Sequence, residues 1–261
     1  MTITAVVNLK GGVGKTTVTN GLAHAAAVQE RSCLVVDGDS QGNSTMHLTN
    51  YTANNSPENS FADVLDREVD LPIEDAIIAS KRPEIHILPS GFSDLQGVQD
   101  TLVGKPGGEM AVQRALKPVK DKYDHILIDC RPAIDLITRS AMYAADNVII
   151  VVQPESDAIA GFDAIQQAID DLAEYMDKHL KVAGVVVNQV DGRRLDHAKS
   201  LDYLRAYVKA ADLEILGDPI PMLADISKLT NVGMGLDQHP RPTPRSRNLA
   251  ENFGTILKAT R

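Results

Sequence analysis

The chain has 261 residues, a formal net charge of −9 at pH 7 and a hydrophobic content of 43%. This length accommodates one α/β domain or two small ones, and the acidic balance excludes a protein that binds nucleic acid through its overall charge. Cys33 and Cys130 are far apart and form no C-x-x-C pair, which leaves an iron–sulfur or zinc site without support. We expect both to be buried thiols in a reducing cytoplasm. No signal peptide is expected, and no apolar stretch approaches the ~20 residues that span a membrane.

A glycine-rich stretch follows the first predicted strand, residues 3–7, and precedes a helix predicted over residues 18–29. It reads K-G-G-V-G-K-T-T over residues 10–17. Strand, glycine loop and helix are the setting of a phosphate-binding loop, whose glycines bring backbone N–H groups close to an anion. Lys15 is expected to reach the β- and γ-phosphates and Thr16 to ligate Mg²⁺. The predicted nucleotide contacts in this loop are Gly11, Gly12, Val13, Gly14, Lys15, Thr16 and Thr17.

The loop departs from the standard pattern G-x-x-x-x-G-K-[ST] at the first glycine, where Leu9 stands, and it carries a second lysine, Lys10. In this form it resembles the deviant Walker A loop of the ParA/MinD family of ATPases. The resemblance implies ATP and Mg²⁺ as cofactors and a homodimer in the ATP-bound state. It also implies that Lys15 acts on the nucleotide of its own subunit, whereas Lys10 crosses the interface to the partner's nucleotide. The alternative is a glycine loop with an incidental pair of lysines.

Acidic residues stand at the ends of two further predicted strands, residues 33–36 and 125–129, where α/β sheets bind ligands. The sequence D-G-D-S-Q-G-N over residues 37–43 resembles the family's switch I. The resemblance implies that Asp39 is catalytic and orients the attacking water, and that Asp37 lies near the Mg²⁺ waters. Asp129 ends a strand that looks like a Walker B strand and is expected to hold Mg²⁺ through a water. The alternative for Asp37 and Asp39 is that they only cap the next helix.

Strands and helices alternate along the chain, so we expect right-handed crossovers and a mostly parallel α/β sheet of about seven or eight strands flanked by helices. Residues 1–261 are expected to form a single domain. Helices are predicted over residues 61–65, 93–102, 109–122, 137–144, 162–175, 196–210 and 248–261. Further strands are predicted over residues 84–89, 147–152, 181–187 and 214–216. Residues 49–60 are predicted to be a loop, and the glycines of residues 104–108 a connection, not a second phosphate site.

Motifs in the second half extend the resemblance to nearly the whole chain. Asn188 follows a predicted strand, and Pro221 ends a P-I-P element. In the family these positions flank the adenine, and an Asn amide can both donate to and accept from a base edge. Q-P-E at residues 153–155 fits the family's dimer-face segment. We therefore expect Asn188 and Pro221 to contact the base.

The same resemblance suggests a DNA surface. D-G-R-R over residues 191–194 resembles the family's D-x-R motif, whose arginine contacts DNA and matches Arg193. P-R-S-R over residues 244–247 resembles the motif that precedes the family's final helix. Asp225 occupies a position that contacts DNA in relatives, and Lys228 is the nearby candidate to replace it. Residues 178–209 and 240–261 each carry a net charge of +4, although two ordinary solvated faces are the alternative. The residues predicted to bind DNA are Arg193, Arg194, Lys228, Arg245 and Arg247.

These features favour an ATP-dependent DNA-partitioning ATPase that is cytoplasmic and associated with the nucleoid. The resemblance implies that the ATP-bound dimer binds nonspecific DNA, and that a ParB-type centromere-binding protein stimulates slow hydrolysis and release. One alternative is a MinD-like ATPase that binds membranes, which would need residues 248–261 to form a basic amphipathic helix. Only two residues of that stretch are basic, so we expect no membrane partner. Another alternative is a relative that acts on a small molecule, but no substrate pocket is evident from the sequence.

Overall fold

One twisted sheet organises the computed structural model, which describes residues 1–155 and 158–261. Within these residues the sheet has seven strands in the order β3-β4-β2-β5-β1-β6-β7, and every pairing is parallel except that between β3 and β4. The strands are β1 Thr2–Val7, β2 Cys33–Gly38, β3 Ile78–Ala79, β4 Ile85–Leu88, β5 His125–Cys130, β6 Asn147–Val152 and β7 Lys181–Val187. The prediction of a mostly parallel sheet of seven or eight strands is confirmed.

Helices cover both faces of the sheet, which explains why the strands read as continuous apolar runs. Alternate residues of β1 enter different cores: Ile3, Ala5 and Val7 pack on one side and Val6 on the other. The helices are α1 Lys15–Val28, α2 Asn43–Leu48, α3 Phe61–Leu65, α4 Ile73–Ala76, α5 Ser93–Leu102, α6 Ala111–Leu116, α7 Leu136–Ala144, α8 Ala158–Met176, α9 Leu195–Ala210, α10 Ala224–Asn231 and α11 Pro244–Lys258. In the described part of the chain, no helix is long and apolar enough to cross a bilayer.

The final helix, α11, packs along α1, the helix that follows the glycine loop. Phe253 lies so close to Gly21 that a Cβ there would be 2.5 Å from the ring. Leu249, Phe253, Ile256 and Leu257 are all buried on this side of the sheet. The apolar stripe of α11 is therefore part of the core, and this packing fixes the position of α1.

Several predicted elements differ from the structure. The helix predicted over residues 109–122 is broken: α6 ends at Leu116, and short 3₁₀ turns cover Gly108–Met110 and Lys120–Lys122. Pro118, which has no backbone N–H to donate, explains the break. The strand predicted over residues 214–216 is only an isolated bridge between Val185 and Ile215. The helices α2, α4 and α10 and the short β3 were not predicted.

A buried histidine on α1 makes the stability of the fold depend on pH. Burial and the neighbouring guanidinium of Arg82, 3.4 Å from the His24 ring, lower the pKa of His24 to about 4, although Asp237 acts in the opposite direction. In the unfolded chain, the pKa of His24 is near its ordinary value of 6.5. Between these two values the unfolded state binds more protons than the folded state. The free energy of unfolding therefore decreases as the pH falls through this window.

Replacing His24 with asparagine should remove this contribution. Between about pH 7 and pH 5, urea unfolding of the native chain should lose roughly 2 kcal/mol more stability than unfolding of His24→Asn. His179→Asn is the matched control, because the side chain of His179 is 82% exposed. It should keep the native pH dependence. An unchanged pH dependence in His24→Asn would contradict the prediction.

Candidate nucleotide site

The loop between β1 and α1 adopts a conformation that requires glycine. Gly12 and Gly14 have φ angles of +79° and +88°, in the left-handed region that favours glycine. A Cβ on Gly14 would also lie 2.1 Å from Nδ2 of Asn188. Asn188 donates from this nitrogen to the Val13 carbonyl at 2.8 Å, and Gln189 donates to the Gly12 carbonyl at 2.9 Å. The segment after β7 therefore holds the loop in place across the carboxyl edge of the sheet.

The two lysines of the loop point to opposite sides of β1, which lies between β5 and β6. Lys15 is only 7% exposed, and its charge interacts with Asp129 at the end of β5 and with Asp39. Burial lowers the pKa of Lys15, although these carboxylates oppose the shift. Lys10 forms an ion pair with Glu155, just beyond β6, with 2.5 Å between Nζ and Oε2. Lys15 thus lies beside the carboxylates of this subunit, whereas Lys10 extends away from them.

Two buried carboxylates lie side by side next to the loop. Asp37 and Asp129 are register partners at the ends of β2 and β5. Burial raises the pKa of both, and the charge of Asp129 raises that of Asp37 further. The nearby hydroxyls of Thr16 and Ser44 lower the pKa of Asp129. A cation would relieve the repulsion between these carboxylates, as Lys15 does in part.

The hydrogen bonds of these carboxylates differ. Thr45 donates to Oδ2 of Asp37 from both its backbone N–H and its hydroxyl, each at 2.7 Å. Ser44 donates to Oδ2 of Asp129 at 2.8 Å, while Oδ1 of Asp129 is buried and has no hydrogen-bond partner among the described residues. Mg²⁺ is usually held by one or two carboxylates together with substrate phosphates. The free oxygen of Asp129, with the Thr16 hydroxyl nearby, fits such an ion.

Asp39 reaches the same region from the loop after β2. It is 8% exposed, and its Oδ1 accepts a hydrogen bond from the backbone N–H of Gln41 at 3.0 Å. Its own backbone N–H donates to Oδ1 of Asp37 at 3.3 Å. The charge of Asp39 acts on both Lys15 and Asp129. The structure therefore brings together all the predicted catalytic and metal-binding residues except Lys10, whose ammonium lies on the β6 side.

The segments predicted to flank the base also meet. Val190, which is separated from Asn188 by Gln189, forms a parallel bridge with Pro221. Asn188 is 2% exposed, with its amide engaged by the loop. In this arrangement Asn188 braces the phosphate loop. Contact of Asn188 and Pro221 with adenine stays a prediction.

The residues predicted to bind DNA are on the surface, and two of them already have carboxylate partners. Arg193 forms two hydrogen bonds with Asp191, each at 3.0 Å, which hold the pKa of Asp191 at about 2. Arg194 is paired in the same way with Asp196. The remaining three lie elsewhere: Lys228 on α10, and Arg245 and Arg247 in the exposed first turn of α11. Since Val190 pairs with Pro221, the Arg193 loop and the segment leading into α10 leave the sheet side by side.

Sequence reasoning missed several residues that build the site. Ser44 and Thr45 bind the two buried carboxylates, and Gln189 binds the phosphate loop. The two hydroxyls stand directly after the acidic motif of residues 37–43, which is a signal that could have found them. Arg131, two residues after Asp129, donates to Gln96 at 2.7 Å and pairs with Asp135. It therefore supports the surrounding fold from within its own subunit.

Comparison with known proteins identifies the family. A model described as "AAA domain" matches residues 1–182. The chromosome partitioning protein ParA of Myxococcus xanthus is 30% identical over 260 residues, which cover 94% of this chain and 90% of the relative. The chain belongs to the ParA/MinD family of P-loop ATPases. The sporulation initiation inhibitor protein Soj of Bacillus subtilis is 34% identical over 191 residues, which cover 73% of this ParA/MinD ATPase and 74% of Soj.

Solved structures match the fold of this ParA/MinD ATPase. Cobyrinic acid a,c-diamide synthase from Mycobacterium smegmatis, with a bound ATP analog and magnesium, has a TM-score of 0.81 at 27% identity and covers 99% of this chain and 94% of that one. A variant of McdA from Cyanothece, in complex with ATP, has a TM-score of 0.85 at 20% identity, covers 99% and 96%, and shows the fold alone. As a member of this family, the chain is a P-loop ATPase with a site for ATP and Mg²⁺.

Proposed function

We propose that this ATPase partitions DNA. Two subunits enclose ATP between them, and the ATP-bound dimer binds DNA without sequence preference. A ParB-type protein on a centromere-like site stimulates hydrolysis and releases the dimer. Relatives named for chromosome partitioning support the proposal. The protein would then act in the cytoplasm on the nucleoid.

The opposed directions of the two loop lysines carry the dimer part of the proposal. Lys15 faces the carboxylates of its own subunit, whereas Lys10 lies beyond β6 in an ion pair with Glu155. Both side chains of that pair are 36% exposed, so the pair is accessible from outside the subunit. An exposed ion pair of this kind contributes little, typically about 0–1 kcal/mol. Exchange of Glu155 for a partner's phosphate therefore costs little, and Lys10 is well placed to act in trans.

In this mechanism the loop residues and the nearby carboxylates have distinct tasks. The backbone N–H groups from Gly11 to Gly14 and the N-terminus of α1 hold the phosphates, and Lys15 neutralises their charge. Asp39 accepts a hydrogen bond from the attacking water and orients it. Thr16, Asp37 and Asp129 would hold Mg²⁺, which offsets charge on the phosphate oxygens. Slow hydrolysis suits a protein whose nucleotide selects between two states.

The proposed DNA face consists of surface cations, two of which would exchange a carboxylate partner for a DNA phosphate. The pairs Arg193–Asp191 and Arg194–Asp196 are exposed and local, so phosphate oxygens can compete with the carboxylates. Lys228, Arg245 and Arg247 have no ion-pair partner within 4.0 Å among residues 1–155 and 158–261. Contacts of this type give affinity without sequence preference and with a strong dependence on salt. A dimer would double the number of such contacts.

The proposal is tested by binding to random-sequence duplex DNA. The native chain should bind with a non-hydrolysable ATP analogue, should not bind with ADP, and should lose affinity as salt rises. Arg193→Ala should weaken binding about tenfold and reduce the slope against salt by about one. Arg205→Ala is the matched control, because Arg205 is also an exposed arginine in a local pair, with Asp202 at 3.2 Å. Binding and nucleotide affinity should be unchanged in this control.

Absence of DNA binding in either nucleotide state, despite an ATP-bound dimer, would overturn the proposal. Anionic liposomes would then be the next test. The structure gives no support to membrane binding through α11, because Leu249, Phe253, Ile256 and Leu257 are buried against the core. An unchanged DNA affinity in Arg193→Ala would instead move the DNA face elsewhere on the molecule.

A further inference from the structure

A cleft of about 410 Å³ opens at the end of the sheet opposite the nucleotide site. Its apolar floor includes Ile3 near the start of β1, Leu116 at the end of α6, and Ala144 at the end of α7. The phosphate loop follows the other end of β1, so a whole strand, roughly 20 Å long, separates the two sites. The cleft is therefore separate from the nucleotide site.

Four cationic side chains line this cleft: Arg114, Lys117, Lys120 and Lys178. Within the described ranges, none of them has an ion-pair partner within 4.0 Å. By contrast, Lys122 close by is paired with Glu74 at 3.1 Å. The cleft thus concentrates uncompensated positive charge on a chain whose net charge is −9.

The carboxylate that lines the cleft does not neutralise its four cations. Asp146 is its one carboxylate among the described lining residues, and Oδ2 of Asp146 already accepts a hydrogen bond from the backbone N–H of Ile3 at 2.8 Å. The ammonium of Lys178 lies 6.0 Å from the centre of the Tyr143 ring. Burial lowers the pKa of Lys178, although Asp146 opposes the shift. Lys178 lines the cleft without an ion-pair partner within 4.0 Å among the described residues, so its ammonium can meet an anionic ligand.

A second cleft, of about 260 Å³, continues this surface on the other side of Arg114. Arg67 lines this second cleft. Burial lowers the pKa of Arg114, and the nearby positive charge of Arg67 lowers it further. Its floor is again apolar, with Leu65, Leu71 and Ile73. The second cleft is also lined by Glu74, whose carboxylate is paired with Lys122 at 3.1 Å. Two adjoining clefts therefore combine apolar floors with a row of cations, and we call them together the basic cleft.

We propose that the basic cleft docks an acidic segment of a partner protein. Carboxylates of the segment would meet Arg114, Lys117, Lys120 and Lys178, and its apolar side chains would cover the floor. Duplex DNA presents phosphates on a convex surface, with its thymine methyl groups recessed in the major groove, so it would not cover such a floor. A small anion would fill only part of two adjoining clefts. Complementary charge would also speed association and set the orientation of the partner. This docking site is separate from the nucleotide and DNA sites, so it does not rest on the proposed function.

The test uses a fluorescein-labelled peptide of repeating Glu-Glu-Leu, whose binding is followed by fluorescence anisotropy. The native chain should bind it, and the affinity should fall with salt. The double variant Lys117→Glu, Lys120→Glu should bind at least about tenfold more weakly. The double variant Lys209→Glu, Lys258→Glu makes the same change of charge at exposed lysines outside the cleft, and it should stay close to native. All four lysines are exposed, so thermal melting should show native folding, and ATP turnover should not change.

Three results would overturn the proposal. One is no binding of the peptide by the native chain at millimolar concentration. Another is equal weakening in both double variants, which would indicate bulk charge only. The third is displacement of the peptide by duplex DNA together with loss of DNA binding in Lys117→Glu, Lys120→Glu, which would assign the cleft to nucleic acid. Failure of the nucleotide-dependent DNA binding described above would leave the peptide result unaffected.

Discussion

Replacing Lys15 with alanine should abolish ATP turnover and weaken ATP binding by at least about a hundredfold, equivalent to roughly 2.7 kcal/mol. Lys15 is 7% exposed and stands at the start of α1, where the phosphates would bind. A charge in such a poorly hydrated place interacts strongly with an anionic ligand. Isothermal titration with ATP and Mg²⁺ and a phosphate-release assay would measure both effects.

The chain offers a matched control in its other glycine loop, residues 104–108. Among the residues that the structure describes, Lys105 has a distant ion-pair partner, Glu68 at 4.0 Å, and it lies outside the nucleotide site. Lys105→Ala should keep native turnover and ATP affinity. Because the charge of Lys15 stabilises the buried Asp129 carboxylate, thermal melting should first show that Lys15→Ala is still folded. Native turnover in Lys15→Ala would refute the assignment of the loop.

The sheet could be predicted from the sequence because its strands are buried on both faces. The apolar runs of residues 147–152 and 181–187 match β6 Asn147–Val152 and β7 Lys181–Val187. A continuous apolar run can be recognised as a buried strand from the local sequence alone, without knowing which strands lie beside it. The start of helix α3 was equally visible, because Ser60 and Asp63 form a local capping box.

Features that depend on distant contacts could not be predicted in this way. The two-residue strand β3 exists only because β4 pairs with it, and α2 is held by bonds from Thr45 to Asp37. The ion pair of Lys10 joins residues 145 positions apart, and the bond from Asn188 to Val13 spans 175 positions. No local pattern encodes such pairs. The pairing of Arg193 with Asp191, by contrast, could have been predicted, because the two residues are close neighbours in the motif D-G-R-R.

The hydrogen bonds of the site connect its parts into one unit. Asp37 accepts from the backbone of Asp39 and from Thr45, so the acidic loop and the start of α2 are tied to the same buried carboxylate. Asp129 is its register partner and accepts from Ser44. Binding of a cation between Asp37 and Asp129 would therefore shift the backbone of Asp39, which is hydrogen-bonded to Asp37. The buried carboxylates next to the phosphate loop are thus linked directly to the start of α2.

Replacing Asp39 with alanine should leave ATP binding intact but reduce hydrolysis by roughly 10²–10⁴-fold, the usual contribution of a general base. Asp39 does not belong to the loop that would hold the phosphates, so the affinity for ATP should change little. A dimer that cannot hydrolyse ATP would accumulate on DNA. Size-exclusion chromatography and DNA binding with ATP should therefore show a persistent dimer, while the native chain releases DNA as ATP is consumed.

Asp39→Asn separates a chemical role from a structural one. The amide oxygen can still accept the hydrogen bond from the backbone N–H of Gln41, which the carboxylate accepts at 3.0 Å. If Asp39 only shapes the turn, asparagine should restore hydrolysis that alanine abolishes. If the carboxylate orients the water, asparagine should be nearly as slow as alanine, because a neutral amide is a far weaker acceptor for a proton. Native hydrolysis in both variants would place the catalytic carboxylate elsewhere and leave Asp39 as a support for the loop.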